Sequence, residues 1–195
     1  MTQTRAVRTR ALILTSAAEE FAAHGYNGAT LLGVVERTGM TKGALYGHFS
    51  SKDELAAVLI EEGGDDLIAR AEQSVEGLPA LEALREAVLR IARQLRRDVS
   101  ARSALRLTGE APHLDRREPG LIMRLSVVLT RAVARTQQEN HVLRAHSPRA
   151  VAQLLMSVFF EIPYPAPADD ADVARRFDDL WSAVSESHTG NRGSA

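Results

Sequence analysis

The sequence predicts an all-α chain, with a three-helix head at its N-terminal end and a longer helical body behind it. Three observations carry this. Apolar residues recur three and four positions apart along most segments, and no run alternates long enough to pass for a strand. The stretch from Thr30 to Phe49, TLLGVVERTGMTKGALYGHF, reads as two short helices joined by a tight turn. From Pro79 onward the helical spacing continues, interrupted only by loop signals.

Thr30 supplies an N-cap hydroxyl, Leu31, Val34 and Val35 form an apolar stripe, and Gly39 sits where a helix must stop. Thr41 is the natural N-cap of the next helix, Lys42 to His48, which at about two turns is too short to stand without packing. Leu45 and Phe49 are its anchors, one turn apart. Thr41, Lys42, Gly43, Tyr46 and His48 form a face of hydrogen-bonding and basic groups pointing out. A helix-turn-helix reader of DNA needs that combination, because its second helix enters a major groove about 12 Å wide with its first residues against the base edges. Gly43 and Ala44 keep the tip slim. Lys42 can donate to guanine O6 and N7 or to a phosphate, and the free N–H groups near Thr41 favour a phosphate. Tyr46 and His48 can hydrogen-bond the backbone on either side. On spacing alone an ordinary helical hairpin with a polar outer face fits too.

The segment resembles the DNA-binding domain of TetR-type transcriptional regulators, on Thr30, the turn Thr38-Gly39-Met40, Leu45-Tyr46-Gly47-His48-Phe49, and Lys52 with Leu55. The match covers roughly residues 8 to 60. The wording TKGALYGHFSSKDELA is most similar to the γ-butyrolactone receptor subgroup of actinobacteria. Two departures stand out: Gly47 replaces the subgroup's usual aromatic residue, which questions one phosphate or packing contact, and Val35 replaces a small Ala, which implies different packing between the two helices. Together these readings expect DNA contacts from Thr30, Thr41, Lys42, Gly43, Ala44, Tyr46, Gly47, His48 and Lys52. The resemblance also implies that the body is a ligand-binding and dimerisation domain.

Composition adds bounds. The chain has 195 residues, enough to bury something like 70% of its unfolded surface. It has no cysteine, which removes disulfides, thiolate metal sites and cysteine nucleophiles. No apolar run approaches the roughly 20 residues needed to span a bilayer, and Thr15, Ser16, Glu19 and Glu20 break the one signal-like stretch, so the expected location is cytoplasmic and no membrane partner is expected. Net charge is −1 overall, but residues 1–52 carry six basic and three acidic side chains, leaving 18 basic and 22 acidic for the remainder. A basic front on an acidic body suits a chain that sets one end on phosphate.

In chain order, Arg8 to His24 is the first helix, with Ile13, Leu14, Ala17, Phe21 and Ala22 inward and Gly25 as its C-cap residue. Arg8 and Arg10 either reach a neighbouring phosphate or are solvated. Ser50 or Ser51 caps a helix from Lys52, with Leu55, Val58, Leu59 and Leu67 on one side and a kink expected at Gly63-Gly64. Leu81, Leu84, Val88, Ile91 and Leu95 mark a buried helix, Leu105 and Leu107 a shorter one, HLDRREPG a loop, and Leu121 to about Asn140 a long helix. The domains are therefore drawn at 1–51 for the head, 52–72 for a connecting helix, 73–188 for the body and 189–195 for a disordered tail.

Within the body, Val88, Ile91, Leu105, Thr108, Leu125 and Leu129 are candidate walls of a small-molecule pocket, though each is equally a core residue. Val151, Leu154, Leu155 and Val158, with Phe177, Leu180, Trp181 and Val184, are candidate dimerisation residues on two helices separated by the proline-rich IPYPAPADD. By the resemblance, the effector is a small lactone or butenolide and the partners are an operator duplex and a second copy. The subgroup's tryptophan near Gly120–Leu125 is missing, and Trp181 is the only tryptophan. A divergent receptor answering to another compound is therefore an alternative, and a helical protein-interaction module is a third.

No cofactor, metal site or catalysis is expected. The six histidines fall in no ligand spacing, and no nucleophile-elbow or phosphate-cradling glycine motif occurs. The pair Glu61-Glu62 reads as solvated charge and Asp169 to Asp172 as first-turn charges of the last helix.

Overall fold

The computed structural model describes residues 2–73, 77–140 and 146–160, together with Arg175 and Asp179. Among these residues every regular element is helical. They are α1 (Thr2–Gly28), α2 (Leu31–Thr38), α3 (Lys42–Tyr46), α4 (Lys52–Gln73), α5 (Ala80–Arg97), α6 (Val99–Glu110), α7 (Leu121–Asn140) and α8 (Pro148–Phe160), with a short 3-10 turn at Pro112–Leu114. Phe177, Leu180, Trp181 and Val184, and the expected tail, lie outside the described residues.

The described chain forms two compact units, one from Met1–Ile68 with Gln94–Ile122, the other from Ala69–Arg93 with Met123–Ala195. The domain limits read from the sequence, at 51 and 72, do not coincide with this division, because α6 folds with the head. The first unit has a core of Ile13, Ala17, Phe21, Val34, Leu45, Phe49, Leu55, Leu59, Ile60 and Leu107, each at most 2% exposed. Gly25 breaks α1 at φ 69°, where the sequence reading placed its C-cap, and the chain continues helically to Gly28.

The expected kink in α4 is absent: the helix runs unbroken through Gly63 and Gly64. Both glycines are buried. A Cβ on Gly63 would lie 2.6 Å from the Ser100 carbonyl oxygen, and one on Gly64 would lie 3.2 Å from the Leu121 methyls. These glycines are there to let α6 and the start of α7 come close, so the missing side chains weaken the isolated helix while permitting its packing.

In the second unit, Leu84, Val88 and Ile91 of α5, Leu125, Leu129 and Val133 of α7, and Val151, Ala152, Leu155 and Phe159 of α8 are buried. The Thr136 hydroxyl lies 3.1 Å from the Ala80 carbonyl and 3.0 Å from the Ala132 carbonyl, and Glu139 accepts from the Ala80 amide at 3.1 Å. That carboxylate satisfies one free N–H in the first turn of α5. Leu154 and Phe160 of α8 are 47% and 48% exposed, and Val158 is half-buried.

Candidate nucleic-acid interface

The reading surface is built from two capped helices. Thr30 has an extended backbone, and its hydroxyl accepts from the Gly33 amide at 2.9 Å. Gly39, at φ 65°, takes the left-handed conformation that ends α2, and its amide donates to Val35 at 3.0 Å. Thr41 repeats the device, accepting from the Ala44 amide at 3.2 Å. Only five residues, Lys42–Tyr46, form α3, and Leu45 is the one that is buried. Phe49, 2% exposed, holds the turn that follows. Between these anchors the outward side is open: Thr41, Lys42, Gly43, Ala44, Tyr46 and Gly47 are exposed and His48 is half-buried.

The glycines on this face have no internal reason to be glycine. A Cβ on Gly43 would meet nothing nearer than the Thr41 hydroxyl at 3.9 Å, and one on Gly47, at φ −69°, would make ordinary contacts at 3.5 Å. Lys42 has no ion-pair partner among the described residues, whereas Arg37, at the end of α2, is held by Glu20 at 3.0 Å and Glu19 at 3.7 Å. Val35 is half-buried against the head's core.

One residue expected at the DNA also has partners within the head. The Lys52 ammonium donates inward, to the carbonyls of Tyr26 at 2.8 Å and Ala29 at 3.3 Å, and lies 4.4 Å from the centre of the Tyr26 ring. It staples the start of α4 to the connection between α1 and α2 from a half-buried position. The Tyr26 hydroxyl donates to Asp53 at 2.5 Å, which holds the phenol above its ordinary pKa. Ser51 accepts from the Glu54 amide, and Glu54 accepts in return from the Ser50 amide and hydroxyl, so both serines serve the start of α4.

Two further groups position the head without having been singled out in the sequence. Glu20, 5% exposed, accepts from Thr30 N at 3.3 Å as well as from Arg37, fixing α2 to α1. Its carboxylate fills the space that a side chain on Gly33 would occupy. At the far end of α1, Arg106 donates to the Ala22 carbonyl at 2.6 Å and to Glu110, while Glu110 accepts from Tyr26 N at 2.6 Å. This pair from α6 satisfies backbone groups left open where Gly25 breaks α1.

Burial would raise the Glu110 pKa, but the hydrogen bond from Arg106, the Tyr26 amide and the Arg106 charge outweigh it and hold the carboxyl below its ordinary value. A carboxyl depressed on folding contributes stability above its unfolded pKa and loses it as pH falls through the folded one. Glu110→Gln is therefore expected to lower the melting temperature at neutral pH. Its deficit against wild type should shrink as pH falls below the ordinary glutamate value. Thermal melts of both proteins across that range check this.

The six candidate pocket residues are all buried, Val88, Ile91, Leu125 and Leu129 in one unit and Leu105 and Thr108 in the other. The Thr108 hydroxyl is used within α6, donating to Ala104 at 2.9 Å. Of the described dimerisation candidates, Leu154 is exposed, Val158 half-buried, and Val151 and Leu155 buried.

An all-helical chain with a capped helix-turn-helix at one end defines the class of helix-turn-helix regulators. This chain belongs to the tetR family of bacterial regulatory proteins, whose family model matches residues 13–59. It is 30% identical over 185 residues to the A-factor receptor protein of Streptomyces griseus, covering 93% of this chain and 64% of that one. It thus spans less than two thirds of that relative, and about half of two further curated regulators. A crystal structure of a γ-butyrolactone receptor, an ArpA-like protein, superposes with a TM-score of 0.76 at 28% identity, covering 92% of this chain and 87% of the other. A structure described as the molecular basis for control of antibiotic production by a bacterial hormone matches with a TM-score of 0.67 at 31% identity, covering 91% and 96%. Among the described residues no helix is long and apolar enough to cross a membrane.

Proposed function

We propose that the chain is a sequence-specific DNA-binding transcriptional regulator, a homodimeric repressor released from its operator by a small apolar effector such as a γ-butyrolactone or butenolide. The observation that carries the first half is the open face of α3, where Thr41, Lys42, Gly43, Ala44 and Tyr46 are exposed around the buried Leu45 and Lys42 has no ion-pair partner among the described residues. Thr41, Lys42, Gly43, Ala44, Tyr46, Gly47 and His48 are the residues assigned to the duplex, with Thr30 at the start of α2. Two such heads reach adjacent major grooves when a dimer spaces them by about 34–36 Å. The exposed Leu154 and half-buried Val158 of α8 support a second copy as the partner.

The effector half rests on similarity to the A-factor receptor and to γ-butyrolactone receptors. An effector that prefers a differently spaced dimer empties the operator only to the extent of its differential affinity. The segment from Gly120 to Leu125 contains no tryptophan, which favours as the second reading a divergent regulator that answers to an unrelated small molecule such as an antibiotic or pathway intermediate.

The test is a mobility-shift assay with DNA from upstream of the chain's own gene, repeated with synthetic γ-butyrolactones. Lys42→Ala should weaken the shift by a factor of about 10 and, where Lys42 reads a base, relax preference at one position, because a good base contact is worth about 1–3 kcal/mol. Unchanged affinity at fixed salt would remove Lys42 from the interface.

A further inference from the structure

We propose that Lys42 is a modification site, an amine whose acylation by an activated acyl donor removes its charge and releases the chain from DNA. The inference rests on the placing of Lys42 at the duplex and adds a chemical means of switching that contact. Its starting point is the balance of basic residues. The 24 basic side chains are 22 arginines and two lysines, Lys42 and Lys52. A guanidinium stays charged, whereas a lysine amine is the common target of acetylation. The side chains therefore offer an acyl donor two amines in 195 residues.

The fold separates the two. The Lys52 ammonium is half-buried, donates to the Tyr26 carbonyl at 2.8 Å and the Ala29 carbonyl at 3.3 Å, and lies 4.4 Å from the centre of the Tyr26 ring. Its nitrogen meets a donor only after those bonds open, and hydrogen bonds from charged groups are among the stronger ones. Lys42 is the opposite case. It is exposed on the first residue of α3 and has no ion-pair partner among the described residues. Gly43 and Ala44 follow it, so no bulky side chain next in sequence screens the amine. Thr41, which precedes it, has its hydroxyl engaged by the Ala44 amide at 3.2 Å.

The step is an acyl transfer with no change of oxidation state. The neutral ε-amine attacks the carbonyl carbon of an acyl phosphate or an acyl thioester and a C–N bond forms. The C–O or C–S bond breaks, phosphate or thiolate leaves with the bonding pair, and the surplus proton on nitrogen passes to water. The resulting amide is uncharged and keeps one N–H donor where the ammonium had three. Position makes the consequence large, because Lys42 is the only cationic side chain among the five residues of α3. A bound duplex covers this amine, so the donor meets it on the free protein. Each acylated chain is then withheld from the DNA-bound population.

The experiment treats full-length chain with acetyl phosphate in one arm and acetyl-coenzyme A in the other, and follows both lysines by peptide mass spectrometry. The products are titrated by anisotropy against a fluorescein-labelled duplex selected from random sequence by untreated protein. Lys42 should be acetylated about 10-fold faster than Lys52, whose hydrogen bonds must first open. Saturating duplex should suppress labelling at Lys42 without slowing it at Lys52. Protein acetylated at Lys42 should bind about 10-fold more weakly, as Lys42→Ala does. The arm that labels Lys42 identifies the donor class. Lys42→Arg, compared with its own untreated baseline, should lose no affinity on treatment. Equal labelling of the two lysines, no labelling of Lys42 in either arm, or undiminished binding by protein acetylated there overturns the proposal and leaves the DNA-binding reading standing. A loss of affinity on treating Lys42→Arg overturns it too, since the switch would then lie at another group. Untreated wild type that binds no duplex at low salt refutes the DNA-binding reading, and this proposal with it, before any donor is added.

Discussion

Leu45→Ala is expected to abolish operator binding and to destabilise the protein by about 3 kcal/mol, within the range of about 2–5 kcal/mol for emptying a buried leucine site. Leu45 is 1% exposed and is the only buried residue of the five in α3. A helix of that length has no stability of its own. Removing its anchor therefore unseats α3 before the rest of the head fails, and the effect on binding should exceed the effect on global unfolding. Hydrogen exchange should show it: the amides of Leu45, Gly47 and Phe49, which close the turns of α3, should lose protection under conditions where those of α1 keep theirs. Tyr46→Ala, which changes a side chain 55% exposed, serves as the contrast, with little stability loss. Equal protection of α3 in Leu45→Ala and wild type would mean that the helix is held by something other than this anchor.

The reading helix depends on few contacts, and the parts of the head that were legible in the sequence are the local ones. Thr30, Gly39 and Thr41 announce themselves because a cap satisfies backbone groups two or three residues away, so residue type and spacing carry the whole signal. Gly25 is legible for the same reason. The outward face of α3 was readable as the complement of Leu45 and Phe49, once the helical period was set.

What the sequence did not display are groups whose partners lie far along the chain. Arg106 meets Ala22 and Glu110 meets Tyr26 across 84 residues, and in a one-dimensional reading both look like surface charges of a short helix. Glu20 likewise reads as an exposed helix residue until Gly33 is seen to leave room for it. The inward partners of Lys52 were hidden for a related reason. A lysine just after a helix-turn-helix looks like a phosphate contact, and only the fold reveals the two carbonyls that its ammonium meets. In each case a charge sits on a helix face that could be either solvated or spanned. Helical spacing does not distinguish the two.

Gly63 gives the second large effect, and its sign decides between the sequence expectation and the observed fold. Were the glycine pair a hinge, alanine at either position would stabilise the helix, by up to about 1 kcal/mol each from propensity. In the folded head the two positions differ. A Cβ at Gly63 meets the backbone of Ser100, with the carbonyl oxygen at 2.6 Å and the carbonyl carbon at 2.9 Å, and backbone cannot swing aside. A Cβ at Gly64 meets only the Leu121 side chain at 3.2 Å, which can give by a few tenths of an ångström. Gly63→Ala is therefore expected to cost about 1–2 kcal/mol net, the overpacking penalty exceeding the propensity gain. Gly64→Ala should fall between neutral and slightly stabilising. For a chain of this size each kcal/mol moves the melting temperature by about 2–4 °C, so differential scanning calorimetry separates the two variants easily. Because Ser100 belongs to α6, and α6 also carries Arg106 and Glu110 to the end of α1, a displaced α6 should weaken DNA binding as well as stability in Gly63→Ala. Stabilisation by both alanines would instead return α4 to the hinged helix that the sequence suggested and detach it from α6.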